Sequence, residues 1–238
     1  SRRLGEVYKR QGSTCTAIVT VEDNVDPTAI CQDITVVLDA NGDASIVAAD
    51  VDNSSTDNCS ISNLVVTPTA FDCSNTGVTT VTLTVTDANG NVSTCTADVT
   101  VEDNIPPTAL CQDVTVALDP TGNAVVDASQ VDNSSTHNCP TVDISITPST
   151  FDCSGIGTNQ VELTVTDASG NTSTCTATIT VEENTPPIAL CQDVTVQLDA
   201  AGNTSIVATD VDNGSSDNCG ITSLTVDPSS FDLSCIHI

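Results

Sequence analysis

The stretch Val78–Val101 reads VTTVTLTVTDANGNVSTCTADVTV, with apolar and polar residues alternating on both sides of a short turn. Val81, Leu83 and Val85 share one face of the first half, because successive side chains of a strand point to opposite sides. Residues 87–91 (DANGN) form the turn, since Asn-Gly readily adopts positive φ. The period of two therefore predicts two antiparallel β-strands joined by a tight turn.

The same pattern recurs along the chain with a spacing of 80 residues. The stretch 101–116 (VEDNIPPTALCQDVTV) has counterparts at 21–36 (VEDNVDPTAICQDITV) and 181–196 (VEENTPPIALCQDVTV). A fixed period indicates an array of like units, and short alternating strands with regular turns predict that each unit is a small all-β sandwich. The expected parts are a non-native or adaptor-like tail (1–11), the last strand of a preceding module with its joint (12–26), two modules (27–104 and 105–184) and a truncated module (185–238), whose pattern breaks from Leu233 onward.

The charge distribution is extreme. All four basic residues lie within the first ten positions, and Gly12–Ile238 carries none, against 31 acidic residues (the 32 of the whole chain less Glu6). Such an anionic body destabilises its own compact state unless cations neutralise it. One interpretation is a solvated acidic surface; the other is binding of a hard cation, because carboxylate and amide oxygens suit calcium. The charge excludes nucleic acid as a partner, and no stretch is apolar and long enough for membrane insertion.

The order of the strands predicts where a cation site would form. If each connection is a simple reversal, the joint, the loop 50–59 and the turn 87–91 lie at one end of the unit. An extra strand within 67–77 would reverse this parity. Turn chemistry, a solvated loop and a polar linker are alternative roles for these residues. The expected Ca2+ ligands, carried over to all repeats, are Glu22, Asp23, Asn24, Asp50, Asp52, Asp57, Asp87, Asn89, Glu102, Asp103, Asn104, Asp132, Asp167, Glu182, Glu183, Asn184, Asp210, Asp212 and Asp217.

A family resemblance covers residues 12 to about 232. Thr86–Cys95 (TDANGNVSTC) followed by Cys111–Val116 (CQDVTV) resembles the junction between hyalin-repeat (HYR) modules, with Gln112 where that family usually has Pro. The resemblance implies immunoglobulin-like β-sandwiches found in extracellular adhesion proteins and in large secreted bacterial surface proteins. The expected fold is therefore all-β, with tandem immunoglobulin-like modules.

The joint also resembles the cadherin linker Asn-Asp-Asn-x-Pro. Asp103, Asn104 and Pro106 match, and Glu102 stands where the first Asn would be. In cadherins this Asp and Asn help to hold calcium between domains, together with an Asp-x-Asp that Asp50–Asp52 and Asp210–Asp212 match. The second unit departs from the pattern, because Gln130 replaces the first Asp and His137 replaces Asp57. A site at this joint is therefore expected to be weaker or differently built.

The 12 cysteines recur at fixed places without a C-x-x-C pair, which indicates disulfides and an oxidising compartment. First and last strands lie side by side in immunoglobulin-like sandwiches, so the resemblance implies Cys31–Cys95 and Cys111–Cys175. Cys59–Cys73 and Cys139–Cys153 would close short loops. Cys15 and Cys191 would pair beyond the ends, and the rival pairing is Cys15–Cys31.

Three hypotheses of function follow. The first is a structural and adhesive segment of a secreted or cell-surface protein, stiffened by calcium and disulfides, with other copies of the module, a surface glycan or a protein ligand as partners. The second is a subunit of an extracellular fibre, and the third an accessory substrate-binding module of a secreted enzyme. The segment itself is not expected to be an enzyme, because His137 and His237 are isolated and complete no catalytic set.

Overall fold

A computed structural model describes residues 15–232 of the chain. The expected adaptor-like tail (1–11) and the expected break in the pattern after residue 232 lie outside the described residues.

The described residues fall into two compact units. One unit holds the residues up to Val36 together with Ala44–Val101, and the other holds Val37–Asp43 together with the residues from Glu102 onward. The module boundaries expected from the repeat stay a prediction.

The first repeat is built from short strands. In chain order its elements are β1 (Ile34–Val37), β2 (Asp43–Ser45), the single turn α1 (Ala48–Val51), β3 (Ile61–Thr67), β4 (Ala70–Asp72), a 3-10 turn (Cys73–Asn75), β5 (Gly77–Asp87) and β6 (Val92–Glu102).

Two sheets make up this sandwich. One has the order β1-β6-β5-β3, and the other pairs β2 with β4. The expected hairpin is present, since β5 and β6 pair antiparallel from Gly77↔Val101 to Thr86↔Val92. Val81, Leu83 and Val85 are fully buried, which confirms the period-two pattern and the all-β sandwich fold.

The second repeat has the same layout. Its elements are β7 (Val114–Ala117), β8 (Asn123–Val125), α2 (Ala128–Val131), β9 (Val142–Thr147), β10 (Thr150–Asp152), a 3-10 turn (Cys153–Gly155), β11 (Gly157–Asp167) and β12 (Thr172–Glu182). The large sheet has the order β7-β12-β11-β9, with β7 parallel to β12. Leu163, Val165 and Ile179 lie fully buried in its core, against Phe151.

The third repeat contributes fewer elements to the described residues. They are β13 (Asn203–Ser205), α3 (Ala208–Val211) and β14 (Ser230–Asp232), and β13 pairs antiparallel with β14.

The structure differs from the expected strands in two places. Residues 48–51, which include the start of the loop expected at 50–59, form a helical turn, and β4 lies within 67–77. One turn is too short to show helical periodicity in a sequence. The parity of the long strands nevertheless holds, because β4 pairs with β2 in the small sheet and leaves β5 running antiparallel to β3.

Disulfides join Cys31 to Cys95 and Cys111 to Cys175, with Cα–Cα distances of 5.8 and 5.9 Å. These are the two pairs that the resemblance implied. Each ties the segment just before the first strand of a sandwich to its last long strand. The rival pairing Cys15–Cys31 is wrong, since Cys15 is a free thiol.

The expected short-loop pairs Cys59–Cys73 and Cys139–Cys153 are wrong. Cys153 bonds to Cys219, and Cys59 is free. The seven-residue strand β3 lies between Cys59 and Cys73 and spans about 23 Å, whereas a disulfide needs Cα atoms about 4.4–6.8 Å apart. The six residues of β9 separate the other pair in the same way. Cys73 and Cys139 are each disulfide-bonded.

The Cys153–Cys219 bond connects the second repeat to the third, and close packing surrounds it. Asn218 Nδ2 donates to the carbonyl oxygen of Asp119 at 3.1 Å. A Cβ atom on Gly122 would lie 2.8 Å from Cys153 Sγ and 3.0 Å from the carbonyl oxygen of Asn218. The turn after β7 therefore needs glycine here, both for this approach and for its φ of +79°.

The helices of the described residues are single turns, and none has the length and apolar character needed to cross a membrane.

Candidate cation sites

The N-terminal end of the first repeat gathers three carboxylates from three segments. Asp23 precedes the first strand, Asp57 lies in the loop before β3, and Asp87 ends β5, and one oxygen of each lies within 4.8 Å of the others. The sequence analysis expected these three together because the strand parity places their segments at one end. Glu22 and Asn24, also expected here, are exposed.

Asp87 is 1% exposed and organises the β5–β6 turn. Its Oδ1 accepts the backbone N–H groups of Asn89, Gly90 and Asn91 at 2.6–2.9 Å, and its Oδ2 accepts Asn91 Nδ2 at 2.7 Å. Burial alone would raise the pKa of Asp87, but these hydrogen bonds outweigh it and hold the pKa below its usual value. Asp87 is therefore an anion in the folded protein at neutral pH. Asn89, an expected ligand, contributes its backbone N–H here.

Asp23 is held from its own loop and from the loop before β3. Its Oδ1 accepts the Val25 N–H at 3.1 Å and Asn58 Nδ2 at 3.2 Å. The Val25 N–H, the nearby Cys59 thiol and the Asn58 amide lower the pKa of Asp23 against a smaller effect of burial. The other oxygen of Asp23, Oδ2, is buried and has no hydrogen-bond partner among the described residues.

Asp57, like Asp23, has hydrogen-bond partners at only one of its two carboxylate oxygens. Its Oδ2 accepts the backbone N–H groups of Cys59 and Ser60 at 2.8 and 3.0 Å, whereas Oδ1 is buried and has no hydrogen-bond partner among the described residues. Buried polar atoms are nearly always partnered. Two unpartnered carboxylate oxygens beside a third carboxylate are therefore the arrangement that a bound cation would complete.

The second repeat builds the equivalent end around a histidine. Asp103 and Asp167 replace Asp23 and Asp87, and His137 replaces Asp57. The Nε2 atom of His137 lies 3.1 Å from Asp167 Oδ2, 3.7 Å from Asp103 Oδ2 and 2.7 Å from the carbonyl oxygen of Ile105. This end was expected to be differently built, but the sequence analysis did not place the imidazole between the two carboxylates.

Asp167 accepts hydrogen bonds from its own turn, as Asp87 does, and His137 is an additional neighbour. Burial alone would raise its pKa, but hydrogen bonds from Asn171 Nδ2 and from the backbone of Asn171 and Ser169, with the charge of His137, hold the pKa below its usual value. Asp103 Oδ1 accepts the Ile105 N–H at 3.2 Å. His137 thus adds a nitrogen where the first repeat has a third carboxylate.

The third repeat repeats part of the arrangement. Asp217 Oδ1 accepts the Cys219 N–H at 2.9 Å, and Oδ2 is buried without a hydrogen-bond partner among the described residues. Glu183, another expected ligand, accepts the Thr185 N–H.

Several expected ligands instead begin helices. Asp50 Oδ2 accepts the Val47 N–H at 2.7 Å, just before α1, and Asp210 Oδ2 accepts the Val207 N–H at 2.9 Å, just before α3. These carboxylates stabilise the first turn of a helix, and neither belongs to the three-carboxylate cluster.

Other expected ligands serve their own loops. Asp52, Asp132 and Asp212 each accept, through Oδ1, the N–H of the serine three residues later, at 3.0–3.1 Å. This is ordinary Asx-turn chemistry, one of the alternatives weighed from the sequence.

The acidic residues that precede the joints pair with nearby amides. Glu102 Oε2 accepts Asn104 Nδ2 at 3.1 Å, and Glu182 Oε2 accepts Asn184 Nδ2 at 3.2 Å. The polar-linker interpretation describes these four residues.

Sequence reasoning missed the amides that fix the carboxylates. Asn91 Nδ2 bridges Asp87 Oδ2 and the carbonyl oxygen of Asp23 at 3.1 Å, and Asn171 Nδ2 reaches the carbonyl oxygen of Asp103 at 2.9 Å. The signal was available, because the turn ends in Gly-Asn in both repeats. The amide connects the joint to the β-hairpin.

Comparison with known proteins places the chain in no family. No family model and no curated protein matches it. Among solved structures it is similar to the protocadherin gammaB4 extracellular domain (18% identity over 77% of this chain and 37% of that chain, TM-score 0.33) and to human protocadherin-24 EC1-2 (18%, 68% and 100%, TM-score 0.34). It is also similar to Drosophila N-cadherin EC1-4, with 8% identity over 66% of this chain and 50% of that chain and a TM-score of 0.35. TM-scores this low support no argument about function.

Proposed function

We propose that this chain is a structural and adhesive segment of a secreted or cell-surface protein, whose tandem sandwiches are stiffened by disulfides and, at the joint that precedes the first sandwich, by calcium. Its partners would be further copies of the same module and a surface glycan or protein ligand. The role is one of support and contact rather than catalysis.

One observation carries the calcium part of this proposal. Asp23 Oδ2 and Asp57 Oδ1 are buried without hydrogen-bond partners beside Asp87, in a chain that has no Lys or Arg after residue 10. No basic side chain of that body can neutralise three adjacent carboxylates. Calcium takes six to eight oxygen ligands at about 2.3–2.6 Å, so carbonyl oxygens and water would complete the shell.

The disulfides support an extracellular setting. Eight cysteines of residues 15–232 are disulfide-bonded, and such bonds persist in oxidising compartments. The cadherin-like joint and the hyalin-repeat resemblance agree with adhesion in that setting. The 80-residue recurrence favours a repeated structural role over the accessory module of an enzyme, because a dedicated ligand site would make one repeat differ from the others.

Thermal melting of the full chain with calcium or after EDTA treatment tests the proposal. A ligand that binds only the folded state stabilises it by about 2.7 kcal/mol at a hundredfold excess over Kd, so calcium is expected to raise the melting temperature of a transition by several degrees. Magnesium at equal ionic strength controls for screening of surface charge.

Two variants locate the effect. Asp57→Asn should abolish the calcium response, because it removes a ligand charge from the cluster. The matched control Asp143→Asn changes an exposed carboxylate in β9 and should leave the response intact. Equal responses to calcium and magnesium, or an unchanged response in Asp57→Asn, would show that the cluster is not a calcium site.

A further inference from the structure

His137 presents one nitrogen to three oxygens. Its side chain is 1% exposed, and Nε2 faces the carbonyl oxygen of Ile105, Asp167 Oδ2 and Asp103 Oδ2 at 2.7, 3.1 and 3.7 Å. A single N–H at Nε2 points at one acceptor, because a hydrogen bond weakens steeply away from linearity. The other oxygens therefore face a nitrogen that cannot serve all of them.

The second ring nitrogen has a backbone partner of its own. His137 Nδ1 lies 3.0 Å from the carbonyl oxygen of Cys139 and 3.1 Å from the backbone nitrogen of the same residue. The Cys139 N–H donates to Nδ1 when the ring proton is on Nε2, and the carbonyl oxygen accepts when the ring proton is on Nδ1. A proton on Nδ1 would donate to this carbonyl and leave the Nε2 lone pair directed at the three oxygens. Histidines that bind metals commonly donate their other N–H to a carbonyl or carboxylate in this way.

The distances fit the edges of a small tetrahedral site. Zinc binds nitrogen and carboxylate oxygen at about 2.0–2.2 Å, so neighbouring ligands of a tetrahedral ion lie roughly 3.3–3.6 Å apart. The nitrogen–oxygen distances at His137 lie on both sides of this range. Rotation of the Asp103 and Asp167 side chains would be needed to bring their oxygens and the imidazole nitrogen to one ion.

We propose that His137, Asp103 and Asp167, with the carbonyl oxygen of Ile105, form a site for a transition-metal ion of the Zn2+ class. An imidazole nitrogen suits zinc and its neighbours in the periodic table, whereas calcium prefers oxygen ligands alone. When the imidazole is neutral, the two carboxylates balance the charge of a divalent ion. Two ends of one array would then select different metals.

This inference stands apart from calcium binding at the first repeat. The Asp23, Asp57 and Asp87 cluster contains no nitrogen donor in its three-residue group, and zinc and calcium are read separately in the tests. Cys139 lies near the site but is disulfide-bonded and offers no thiolate.

The test measures Zn2+ and Co2+ binding to the full chain after metal removal, with free thiols alkylated so that Cys15, Cys59 and Cys191 bind nothing. We expect one tight Zn2+ per chain, a higher melting temperature, and the visible absorption of tetrahedral Co2+. His137→Gln should weaken Zn2+ binding at least tenfold and remove the Co2+ bands. His237→Ala, which removes the other histidine of the chain, is the matched control.

A reciprocal pair keeps the test decisive if His137→Gln folds poorly. His137→Asp rebuilds the first-repeat cluster and should bind Ca2+ in place of Zn2+, whereas Asp57→His should create a second Zn2+ site. The proposal is overturned if the unmodified sequence binds no Zn2+, because the histidine is then only a hydrogen-bonding group. Retention of Zn2+ binding in both His137 variants would also overturn it.

Discussion

The N-terminal ends of the first and second repeats differ at the centre of a shared scaffold. Asp87 and Asp167 hold their turns by the same hydrogen bonds to backbone N–H groups. The side chain between the joint and this turn is Asp57 in one case and His137 in the other. Where it is aspartate, buried oxygens lack partners; where it is histidine, Nε2 faces the carboxylates at 3.1 and 3.7 Å.

This difference shows that the residues that form the shared turn are separate from the residue that sets the charge of the site. The turns and the asparagine bridges are the same with either residue. The two ends therefore share one scaffold, and one position sets the chemistry. Repeats of one fold can in this way differ in their response to solution conditions.

The largest expected effect concerns Cys219, which lies two residues after Asp217, the third-repeat counterpart of Asp57 and His137. Cys219 is bonded to Cys153 across 66 residues, whereas Cys59, at the equivalent position of the first repeat, is free. Changing both Cys153 and Cys219 to Ser should lower the free energy of unfolding by about 4 kcal/mol on the chain-entropy model. Denaturant unfolding measures this loss.

Cys59→Ser is the control for that change. It should alter the free energy of unfolding by less than about 0.5 kcal/mol, as surface substitutions usually do. Equal losses in the two variants would show that the cysteines act by packing rather than by cross-linking.

Removal of the turn carboxylates should have the next largest effect. Asp87→Ala and Asp167→Ala each leave the N–H groups of a buried turn without their acceptor, so each should lower the melting temperature by roughly 10 °C. Calorimetry would compare the two. Asp87→Ala should also abolish the calcium response, whereas Asp167→Ala should keep it; the opposite result would contradict the assignment of calcium to the first repeat.

Acid should weaken both ends. The pKa values of Asp87 and Asp167 lie below the usual 3.8 in the folded protein, so the unfolded chain takes up protons first as the pH falls. Their contribution is complete above about pH 5 and is lost as the pH falls through the folded-state pKa. Melting temperatures from pH 6 to pH 2.5 should decline, and the calcium response should vanish over the same range. A calcium response that persists at pH 2.5 would argue against carboxylate ligands.

The smallest effect concerns the reactivity of Cys59. The nearby Asp23 carboxylate, burial and the charges of Asp57 and Asp87 raise the pKa of the Cys59 thiol, so less thiolate is present at pH 8. Calcium bound to these carboxylates would offset their charge and speed alkylation severalfold. Peptide mass spectrometry can follow Cys59 with Cys191 as the internal reference. A rate that calcium leaves unchanged would place the ion elsewhere.

The sequence predicted those features that depend on local pattern. The period-two stretch Val78–Val101 predicted the hairpin, and strand parity predicted that Asp23, Asp57 and Asp87 meet. Both follow from the backbone alone, since alternation and reversal determine faces and ends. The Cys31–Cys95 pair came from the family resemblance.

The features that the sequence did not predict depend on contacts between distant parts. Cys153 was assigned to a loop partner because short loops close easily, but β9 carries Cys139 to the opposite end of the sandwich. Asp50 and Asp52 were grouped with the cluster because strand parity places the loop 50–59 at the same end and because they match the cadherin Asp-x-Asp, whereas the backbone of their own loop binds them. Strand direction locates a segment, but it does not show which way a side chain turns.

The Cys153–Cys219 bond has a mechanical consequence. Tension applied along the chain would pass through the two sulfur atoms and bypass the polypeptide between them. The bypassed interval covers a sequence separation of 66 residues, which would extend to roughly 220 Å if it were pulled straight. While the bond is intact, the joint that follows strand β12 is sheltered from load, and a reductant would release that length.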